Sequence, residues 1–366
     1  MTTTIFSLPY LLLKQTLSLI AICSEIGRGH PNYLDSVLSY LPAVKKIIPS
    51  GFGWTLARQA YHLGAKGGLF TALYNLSRKG ATPSKTELSL LDSGLRARFH
   101  NYQGIILVDH PLLAHLLAPV CKVAYIHGEI AAPKTAAVPS AWHTFVPLEY
   151  TAKLLQAFGV KPDALFITGL VIEPELLPVA ESSFKIRLQR YSSKEPLTIA
   201  FFTSGAYPLP HLRAIVTAAE SALNAGHRVI IFAGTNKTKA KVLPSALVFN
   251  SRQEENLKTA ELFSRIDLFV AAAHERTNWA IGLGLPLFAL LPHIGPFARG
   301  NFWFAYEKGV CLPLQEPKNF GSTINEHRRT GRLTQMVYSG WNQYPLNGAK
   351  SIAQFLLSQN QNPADC

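Results

Sequence analysis

The sequence predicts an α/β protein built from two Rossmann-like halves, and three observations lead to this prediction. Short apolar runs alternate with helical stretches along the chain, which is typical of βαβ units and parallel sheets. The 366 residues suffice for two hydrophobic cores of ordinary size. The periodicity is interrupted between residues 172 and 178, where Glu173, Pro174 and Pro178 fall. We therefore predict an N-terminal domain over residues 1–172 and a C-terminal domain over residues 173–366.

Each half contains five predicted strands, the number expected of a Rossmann-like unit. In the first half the apolar runs lie at residues 17–23, 104–108, 122–126, 143–146 and 164–168. In the second half they lie at residues 197–202, 228–232, 246–249, 268–271 and 285–290. A further amphipathic stretch predicts a helix over residues 348–358.

The first strand is followed by a glycine-containing loop that leads into a helix. Gly27 and Gly29 flank Arg28 and permit close approach of the backbone to a ligand, and the helix that follows offers free N–H groups to an anion. His30 falls at the carboxyl end of the predicted sheet, where open α/β folds bind ligands. The loop is neither a GxGxxG fingerprint nor a Walker A sequence, and an ordinary turn after a strand would have the same composition.

Two loops of the second half also contain residues suited to binding an anion. Ser204, Gly205 and Ala206 follow a predicted strand, and their backbone N–H groups are suited to phosphate oxygens; a plain βα turn is the alternative. A second loop precedes an apolar helix, where residue types suited to capping and to phosphate contact occur together: His274, Glu275, Arg276, Thr277 and Asn278.

The order and spacing of these segments over residues 17–315 resemble the GT-B glycosyltransferases. The chain is similar in particular to the branch that holds the peptidoglycan N-acetylglucosaminyltransferase and the diacylglycerol galactosyl- and glucosyltransferases. The resemblance also includes Gly284-Leu285-Pro286 and Asn301, which stands eight residues before Gly309. It implies two Rossmann-like domains facing across a cleft, with a nucleotide-diphosphate sugar on the second domain, a hydroxyl acceptor on the first, and a terminal helix that crosses back onto the first.

The resemblance also implies roles for individual residues. His30 is the expected general base, with Asp109 and Glu129 as further candidates at the ends of neighbouring strands. The donor would be bound by residues of the second half: Ser204, Gly205, Ala206, His274, Glu275, Arg276, Thr277, Asn278 and Asn301. The resemblance implies an inverting transferase without a cofactor. The chain contains no Asp-x-Asp pair, so we predict that it uses no metal and neutralises the leaving diphosphate with backbone amides and cations.

Two positions depart from the family pattern. Trp279 stands where the family has a glutamate that holds the ribose hydroxyls, and Phe297-Ala298-Arg299 replaces the region of its glutamine before Asn301. The departures leave two alternatives open. The chain would be a nucleotide-sugar epimerase or hydrolase of the same fold, with Glu129 or Asp109 as the second acid–base group, or a non-catalytic binding protein.

The net charge of +13 is unevenly distributed. Residues 45–98 contain nine Lys or Arg against two acids, interleaved with Trp54, Tyr61, Phe70 and Tyr74. This composition suits peripheral docking on an anionic membrane surface, where the resemblance implies a lipid-linked acceptor, or a solvated face with inward-pointing aromatics. Nucleic acid is the weaker partner because no nucleic-acid-binding motif accompanies the cations.

The remaining features concern location. Cys23 and Cys121 lie in apolar runs and no CxxC motif occurs, which predicts buried thiols in a reducing compartment. Residues 1–16 lack the basic start and cleavage site of a signal peptide and are interpreted as an interfacial arm or a simple extension. We therefore predict a cytoplasmic protein that docks reversibly on the inner membrane face.

Overall fold

The structure is a computed structural model that describes residues 18–64, 66–77 and 82–359. The predicted arm over residues 1–16 lies outside the described residues. Eleven strands form two sheets in the described part of the chain. In chain order they are β1 Leu19–Ile22, β2 Lys45–Ile47, β3 Ile105–Val108, β4 Lys122–Ile126, β5 His143–Val146, β6 Leu165–Ile167, β7 Thr198–Phe202, β8 Arg228–Phe232, β9 Leu268–Ala271, β10 Leu287–Ala289 and β11 Cys311–Pro313.

Both sheets are parallel. The first has the order β2-β1-β3-β4-β5-β6, and the second has the order β11-β10-β9-β7-β8. The central strands β3, β7 and β9 are buried along their whole length, as expected where helices cover both faces of a parallel sheet. The α/β fold with two Rossmann-like halves is thus confirmed.

Helices connect the strands and cover the sheets. They are α1 Gly29–Leu38, α2 Phe52–Gly64, α3 Gly68–Ser77, α4 Lys85–Asp92, α5 Leu95–Phe99, α6 Pro111–Leu117, α7 Glu149–Ala157, α8 Leu177–Ser192, α9 Leu209–Asn224, α10 Lys237–Ala240, α11 Arg252–Leu262, α12 Thr277–Gly282, α13 Ala298–Glu307, α14 Phe320–Arg329, α15 Arg332–Gly340 and α16 Gly348–Ser358. Among the described residues, no helix has both the length and the apolar character required to cross a bilayer.

The strands of the structure differ from the predicted ones at three places: two strands were not predicted, and one predicted strand is absent from the described residues. β2 was not predicted because two of its three residues are exposed lysines on an edge strand, so it has no apolar run. β11 was not predicted because it is short and ends in a proline. The strand predicted over residues 246–249 is wrong: the segment makes a single isolated bridge, from Leu247 to Phe232 at the end of β8.

The chain returns to the first sheet at its end. Ile352 and Leu356 of α16 are buried in one cluster with Leu34 and Val37 of α1 and the residues of β1 and β3 that face them. Just before α16, Asn347 forms an isolated antiparallel bridge with Val171. The last strand of the first sheet ends at residue 167 and the first strand of the second begins at residue 198; the domain boundary between 172 and 173 stays a prediction.

Cys23 is buried and Cys121 is half-buried, and both are free thiols, as is the buried Cys311. Burial raises the pKa of the Cys121 thiol to about 11, so it is protonated at neutral pH.

Candidate active site

A cavity lies where the carboxyl ends of the two sheets face each other. It is lined by the loops that follow β1, β3 and β4 of the first sheet and β7, β9 and β10 of the second. The halves are close together here, since a Cβ placed on Gly205 would lie only 3.4 Å from the backbone nitrogen of Arg28. The polar lining residues are Arg28, His30, Tyr61, Tyr74, Thr82, Glu87, His110, Glu129, Thr135, Thr203, Ser204, His274, Glu275 and Arg276.

Asp109 fixes the loop after β1. Its carboxylate accepts the backbone N–H of Ser24 at 2.9 and 3.1 Å, and it also accepts the Ser24 hydroxyl at 3.2 Å and the Cys23 thiol at 3.5 Å. The loop then turns at Gly27, whose φ of +70° lies in the left-handed region that favours glycine. Burial raises the pKa of Asp109 to about 7 despite these hydrogen bonds. The carboxylate, predicted as a catalytic candidate, thus holds the neighbouring loop in place.

His30 is the second residue of α1 and is buried against the cavity. Its ring makes edge contacts with the rings of His110 and Phe297, at centroid distances of 4.8 and 5.4 Å. Burial, and next the neighbouring His274, lower the pKa of His30 to about 4, so the imidazole is neutral at pH 7. Its Nδ1 atom has no hydrogen-bond partner among the described residues.

Glu129, a residue of the first half, is hydrogen-bonded to Asn301 of the second half. The Asn301 amide donates to Glu129 Oε2 at 2.5 Å and to the carbonyl of Ala273 at 3.1 Å, while its oxygen accepts the N–H of Ala131 at 2.8 Å. Burial and the nearby Glu275 raise the pKa of Glu129 to about 8. Glu129 is therefore largely protonated at neutral pH.

Two arginines and two glutamates form a buried ion-pair network between the halves. Arg28, from the first half, contacts Glu255 and Glu275 at 3.1 Å each. Arg276 contacts Glu255 at 2.8 Å and Glu275 at 3.4 Å, and its guanidinium lies 4.3 Å from the centre of the Phe202 ring. Burial alone would raise the pKa of Glu275, but Arg276 and Arg28 together hold it below its usual value.

Two further residues of α11, one polar and one charged, add contacts between the two halves. Asn256 accepts from Arg28 at 2.9 Å and donates to Asn32 at 2.9 Å. Arg252, in the first turn of α11, contacts Glu25 at 2.8 Å and Asp35 at 2.9 Å. The N-terminal part of α11 is therefore bound to α1 and the loop that precedes it.

The predicted donor-binding residues do not all reach the cavity. Those that line it are Ser204, Gly205, His274, Glu275 and Arg276. Ala206, Thr277, Asn278 and Asn301 are buried beside it. Asn278 donates to the backbone carbonyl of Gly128 at 3.2 Å, so it contributes to the contact between the two halves. Thr277 Oγ1 is buried without a hydrogen-bond partner among the described residues.

The two departures from the family pattern have structural consequences. Trp279 is buried on α12, and its indole N–H donates to Glu173 Oε2 at 2.7 Å, while Glu173 Oε1 accepts from Asn32 at 2.8 Å. Phe297 contacts the rings of both His30 and His127. Sequence reasoning did not identify Glu173, Glu255, Asn256 or Arg252 as parts of this region, because each contacts a residue that lies more than a hundred positions away in the sequence.

The fold and the position of the cavity define the class: the chain has the GT-B fold, in which two Rossmann-like halves face each other across a cleft. It is similar to the UDP-GlcNAc 2-epimerase from Neisseria meningitidis bound to UDP-GlcNAc, with 15% identity, coverage of 93% of this chain and 99% of that chain, and a TM-score of 0.56. A putative UDP-N-acetylglucosamine 2-epimerase from Listeria monocytogenes is 10% identical over 95% of this chain and 98% of its own, with a TM-score of 0.60.

A plant glycosyltransferase structure is also similar. UGT2 from Phytolacca americana, complexed with UDP-2-fluoro-glucose and pterostilbene, is 12% identical over 94% of this chain and 100% of its own, with a TM-score of 0.54. No protein-family model matches the chain, and no curated protein matches it. At these identities the likeness establishes the fold.

Proposed function

We propose that the cleft binds a nucleotide-diphosphate sugar and that the protein is an inverting, metal-independent glycosyltransferase acting on a hydroxyl acceptor. The observation that carries the proposal is the convergence of two arginines, a neutral histidine and two small-residue loops in one buried cleft. Proteins of the same fold have been solved with UDP-GlcNAc and with a UDP-sugar analogue, which supports a donor of this chemical class.

Two buried polar atoms beside the cavity support binding of an anion. Arg276 Nε and Thr277 Oγ1 have no hydrogen-bond partner among the described residues. A buried polar group without a partner costs about 1–3 kcal/mol, so a ligand that supplies an acceptor there gains that energy. Arg28 and Arg276 both line the cavity, and the diphosphate would displace from them the carboxylates of Glu255 and Glu275.

His30 supplies the base in this proposal. With its neutral ring and unpartnered Nδ1, it accepts the proton of the acceptor hydroxyl as that oxygen bonds to the anomeric carbon. The bond from the anomeric carbon to the diphosphate oxygen breaks in the same step, and the leaving nucleoside diphosphate is neutralised by Arg28 and Arg276. Attack from the face opposite the leaving group inverts the anomeric centre.

Thermal unfolding with a panel of nucleotide sugars is the first test. A donor at 100 times its dissociation constant adds about 2.7 kcal/mol to the free energy of unfolding. We expect a shift with at least one uridine, guanosine, cytidine or thymidine diphosphate sugar. No shift with any of them would contradict the proposal and favour a non-catalytic protein.

The His30→Ala variant tests the base. We expect turnover to fall by roughly 10²–10⁴-fold while the thermal shift caused by the donor is retained, because the histidine acts on the acceptor. His100→Ala is a matched control, since His100 is exposed and lies outside the cavity. A loss of only a few-fold would remove His30 from the role of base.

A second candidate function is favoured by the pair Glu129 and Glu275. A Cβ placed on Gly29 would lie 3.1 Å from Glu275 Oε2 and 3.4 Å from Glu129 Oε1, so the two carboxyl groups approach the same point from opposite halves. The pKa of Glu129 is raised and that of Glu275 is lowered, which provides an acid and a base side by side. Such a pair suits an epimerase or hydrolase that needs no acceptor.

Incubation of the protein with a nucleotide sugar and no acceptor distinguishes the two functions. An epimer or free sugar that disappears in the Glu129→Gln variant would support the second candidate. A product that forms only when a hydroxyl acceptor is added, and that requires His30, would support the transferase.

A further inference from the structure

One wall of the cavity, contributed by the first half, is mostly apolar or aromatic. It is formed by residues of α2, α3, α6 and the segment before α4, and we call it the apolar compartment: Ala57, Tyr61, Tyr74, Pro83, Pro111 and Leu112. The small-residue loops, Arg28 and Arg276 line other parts of the cavity. The cavity thus contains a region for an anion and a region for an apolar group, and the proposed donor uses only the first.

The two tyrosines of the apolar compartment belong to the segment in which cations and aromatics alternate. Of the four aromatics predicted for a docking surface there, Trp54 is fully buried. Tyr61 and Tyr74 are half-buried and line the cavity, and Phe70 alone of the four is exposed. The docking prediction therefore needs correction for three of its aromatics, two of which offer their rings to a ligand of the cavity.

Two glycines position the tyrosine rings. A Cβ placed on Gly64 would lie 2.3 Å from the ring of Tyr74, so α3 packs this closely on α2 because Gly64 has no side chain. A Cβ placed on Gly27 would lie 3.3 Å from the hydroxyl oxygen of Tyr61. Burial, and next the neighbouring Tyr74, raises the pKa of Tyr61 above its usual value. The compartment therefore presents uncharged rings beside the glycine-containing loop after β1.

The charges around the apolar compartment favour an uncharged ligand. Among the described residues that line the cavity, the only lysines or arginines are Arg28 and Arg276, and the proposed diphosphate occupies both. Glu87, an acid, lines the cavity with the compartment. Arg78 and Lys79 lie outside the described residues. A phosphate or carboxylate on the acceptor would meet a like charge here without a further cation from the described residues.

The proposed base borders the apolar compartment. The ring of His30 contacts the ring of His110 at a centroid distance of 4.8 Å. His110 precedes α6 and accepts the N–H of Leu112 on its Nδ1 atom at 3.2 Å, so Pro111 and Leu112 follow directly from the histidine contact. A ligand in the compartment is therefore adjacent to His30, whose Nδ1 has no hydrogen-bond partner among the described residues.

The weak basicity of His30 selects the kind of hydroxyl group. Its pKa of about 4 means that it accepts a proton less readily than an ordinary histidine. A phenol has a pKa of about 10, as in the tyrosine side chain, whereas an alkyl hydroxyl is about as weak an acid as water, near 16. Proton transfer to His30 is therefore much less unfavourable from a phenol than from an alkyl hydroxyl.

We infer that the apolar compartment binds an uncharged aromatic ring that carries a hydroxyl group, and that the acceptor is therefore a phenol. The second part of the inference rests on the proposed function. In that reaction the phenol oxygen bonds to the anomeric carbon, the bond from this carbon to the diphosphate oxygen breaks, and the phenol proton passes to His30 Nδ1. The first part concerns binding alone and is tested without a donor.

Three compounds of similar size test the acceptor, together with the donor that thermal unfolding identifies. They are 2-naphthol, decahydro-2-naphthol, whose hydroxyl is aliphatic, and 6-hydroxynaphthalene-2-sulfonate, which adds an anion. We expect kcat for decahydro-2-naphthol to be roughly 10²–10⁴-fold below that for 2-naphthol, because its hydroxyl is the weaker acid. The sulfonate should instead raise KM at least about tenfold, because its negative charge lies near Glu87.

Calorimetric titration with 2-naphthol and no donor tests the compartment by itself. We expect saturable binding that is at least about tenfold weaker in Ala57→Lys, because an ammonium group enters the apolar wall. Ala60→Lys is the matched control, since Ala60 is half-buried on the same helix and does not line the cavity. Thr82→Lys is a second variant at an exposed position of the cavity. It should bind the sulfonate roughly twofold to fivefold more tightly than the unchanged protein does.

Two results would overturn the inference. The first is turnover of decahydro-2-naphthol or of dioctanoylglycerol, which also has an aliphatic hydroxyl, at a kcat equal to or above that of 2-naphthol; this result would leave the transferase in place. The second is absence of 2-naphthol binding, or binding that neither Ala57→Lys nor Thr82→Lys changes. Conversely, 2-naphthol that binds, is weakened by Ala57→Lys and is turned over with no donor would remove the transferase and leave the compartment as a site for an uncharged phenol.

Discussion

The two sides of the cleft carry different kinds of polar group. On the side of the first sheet, burial lowers the pKa of His30 to about 4 and that of His127 to about 3, and raises that of Glu129 to about 8. These groups are uncharged or largely so at neutral pH. On the side of the second sheet, Glu275 is ionised and paired with Arg276 and with Arg28, which extends across from the first half.

This difference suggests that the two sides of the cleft have different roles. Neutral groups with strongly shifted pKa values are suited to proton transfer. The arginines of the second side are suited to holding an anion, and the ion pairs of Arg28 join the halves. The first side would therefore supply the chemistry and the second the binding energy. Substitution of one group at a time tests this difference, beginning with the variant expected to lower the free energy of unfolding most.

The largest effect is expected for Trp279→Glu, which places on the second side the carboxylate that the resembling transferases use for ribose. Trp279 packs against the rings of Phe202, Phe263 and Phe269, and the new carboxylate would face Glu173 instead of donating to it. We expect the free energy of unfolding to fall by about 3–5 kcal/mol, measured by urea denaturation.

Trp303→Glu is the control for this change, because Trp303 is a half-exposed tryptophan on α13 and its replacement should change stability little. If Trp279→Glu left stability unchanged and created binding of a uridine diphosphate sugar, Trp279 would stand at a position that tolerates a ribose-binding carboxylate. That result would contradict the packing role described here.

Next in size is Arg276→Met, which removes one cation from the network and leaves Glu255 and Glu275 to share Arg28. Loss of one partner in a buried pair costs about 3–5 kcal/mol, and we expect the lower end because Arg28 remains. Combining it with Glu255→Gln should restore part of the stability. Arg329→Met, in an exposed pair with Glu326, should change it little. A loss no larger than that of this control would show that Arg276 does not stabilise the buried network.

The sequence predicted the parts of the molecule that depend on local patterns. Apolar runs identified ten strand positions, nine of which form strands, because the central strands of a parallel sheet are covered by helices on both faces and are therefore rich in apolar residues. The loops after β1, β7 and β9 were also located correctly, since they follow those runs directly. His30, Glu129 and Arg276 were chosen on this basis, and the structure places all three on one cavity.

The partners of these residues could not be predicted. Arg28 contacts Glu255 across 227 positions of sequence, and Asn301 contacts Glu129 across 172. Such pairs leave no periodic signal, and glutamates at the start of α11 are equally suited to a solvated helix end. The pKa shifts could not be predicted from the sequence either, because they arise from burial between two halves whose positions are set by the tertiary fold.

The pH dependence of stability tests the neutral side of the cleft. The folded pKa of Glu129, about 8, is above the unfolded value near 4.5, so the unfolded chain releases this proton first as pH rises. The stabilising contribution of Glu129 is complete below about pH 4.5 and is lost as pH rises to about 8. Glu129→Gln, which keeps an oxygen for Asn301, should therefore gain stability relative to the unchanged protein over this range, by at most about 1.4 kcal/mol per pH unit. Parallel unfolding curves at each pH would contradict a protonated Glu129.

We expect the smallest loss of stability for Asn75→Ala. This change removes two hydrogen bonds between uncharged groups of the two halves. Asn75 makes two hydrogen bonds to the loop that follows β10, each contributing about 0.5–1.5 kcal/mol, so we expect a loss of about 1–2 kcal/mol. Amide hydrogen exchange is the sharper readout: α3 should exchange faster, while the central strands β3 and β7 keep their protection. Asn224→Ala, at the exposed end of α9, is the control. A loss as large as that of Arg276→Met would mean that the two uncharged hydrogen bonds of Asn75 stabilise the fold as much as one buried charge of the ion-pair network does.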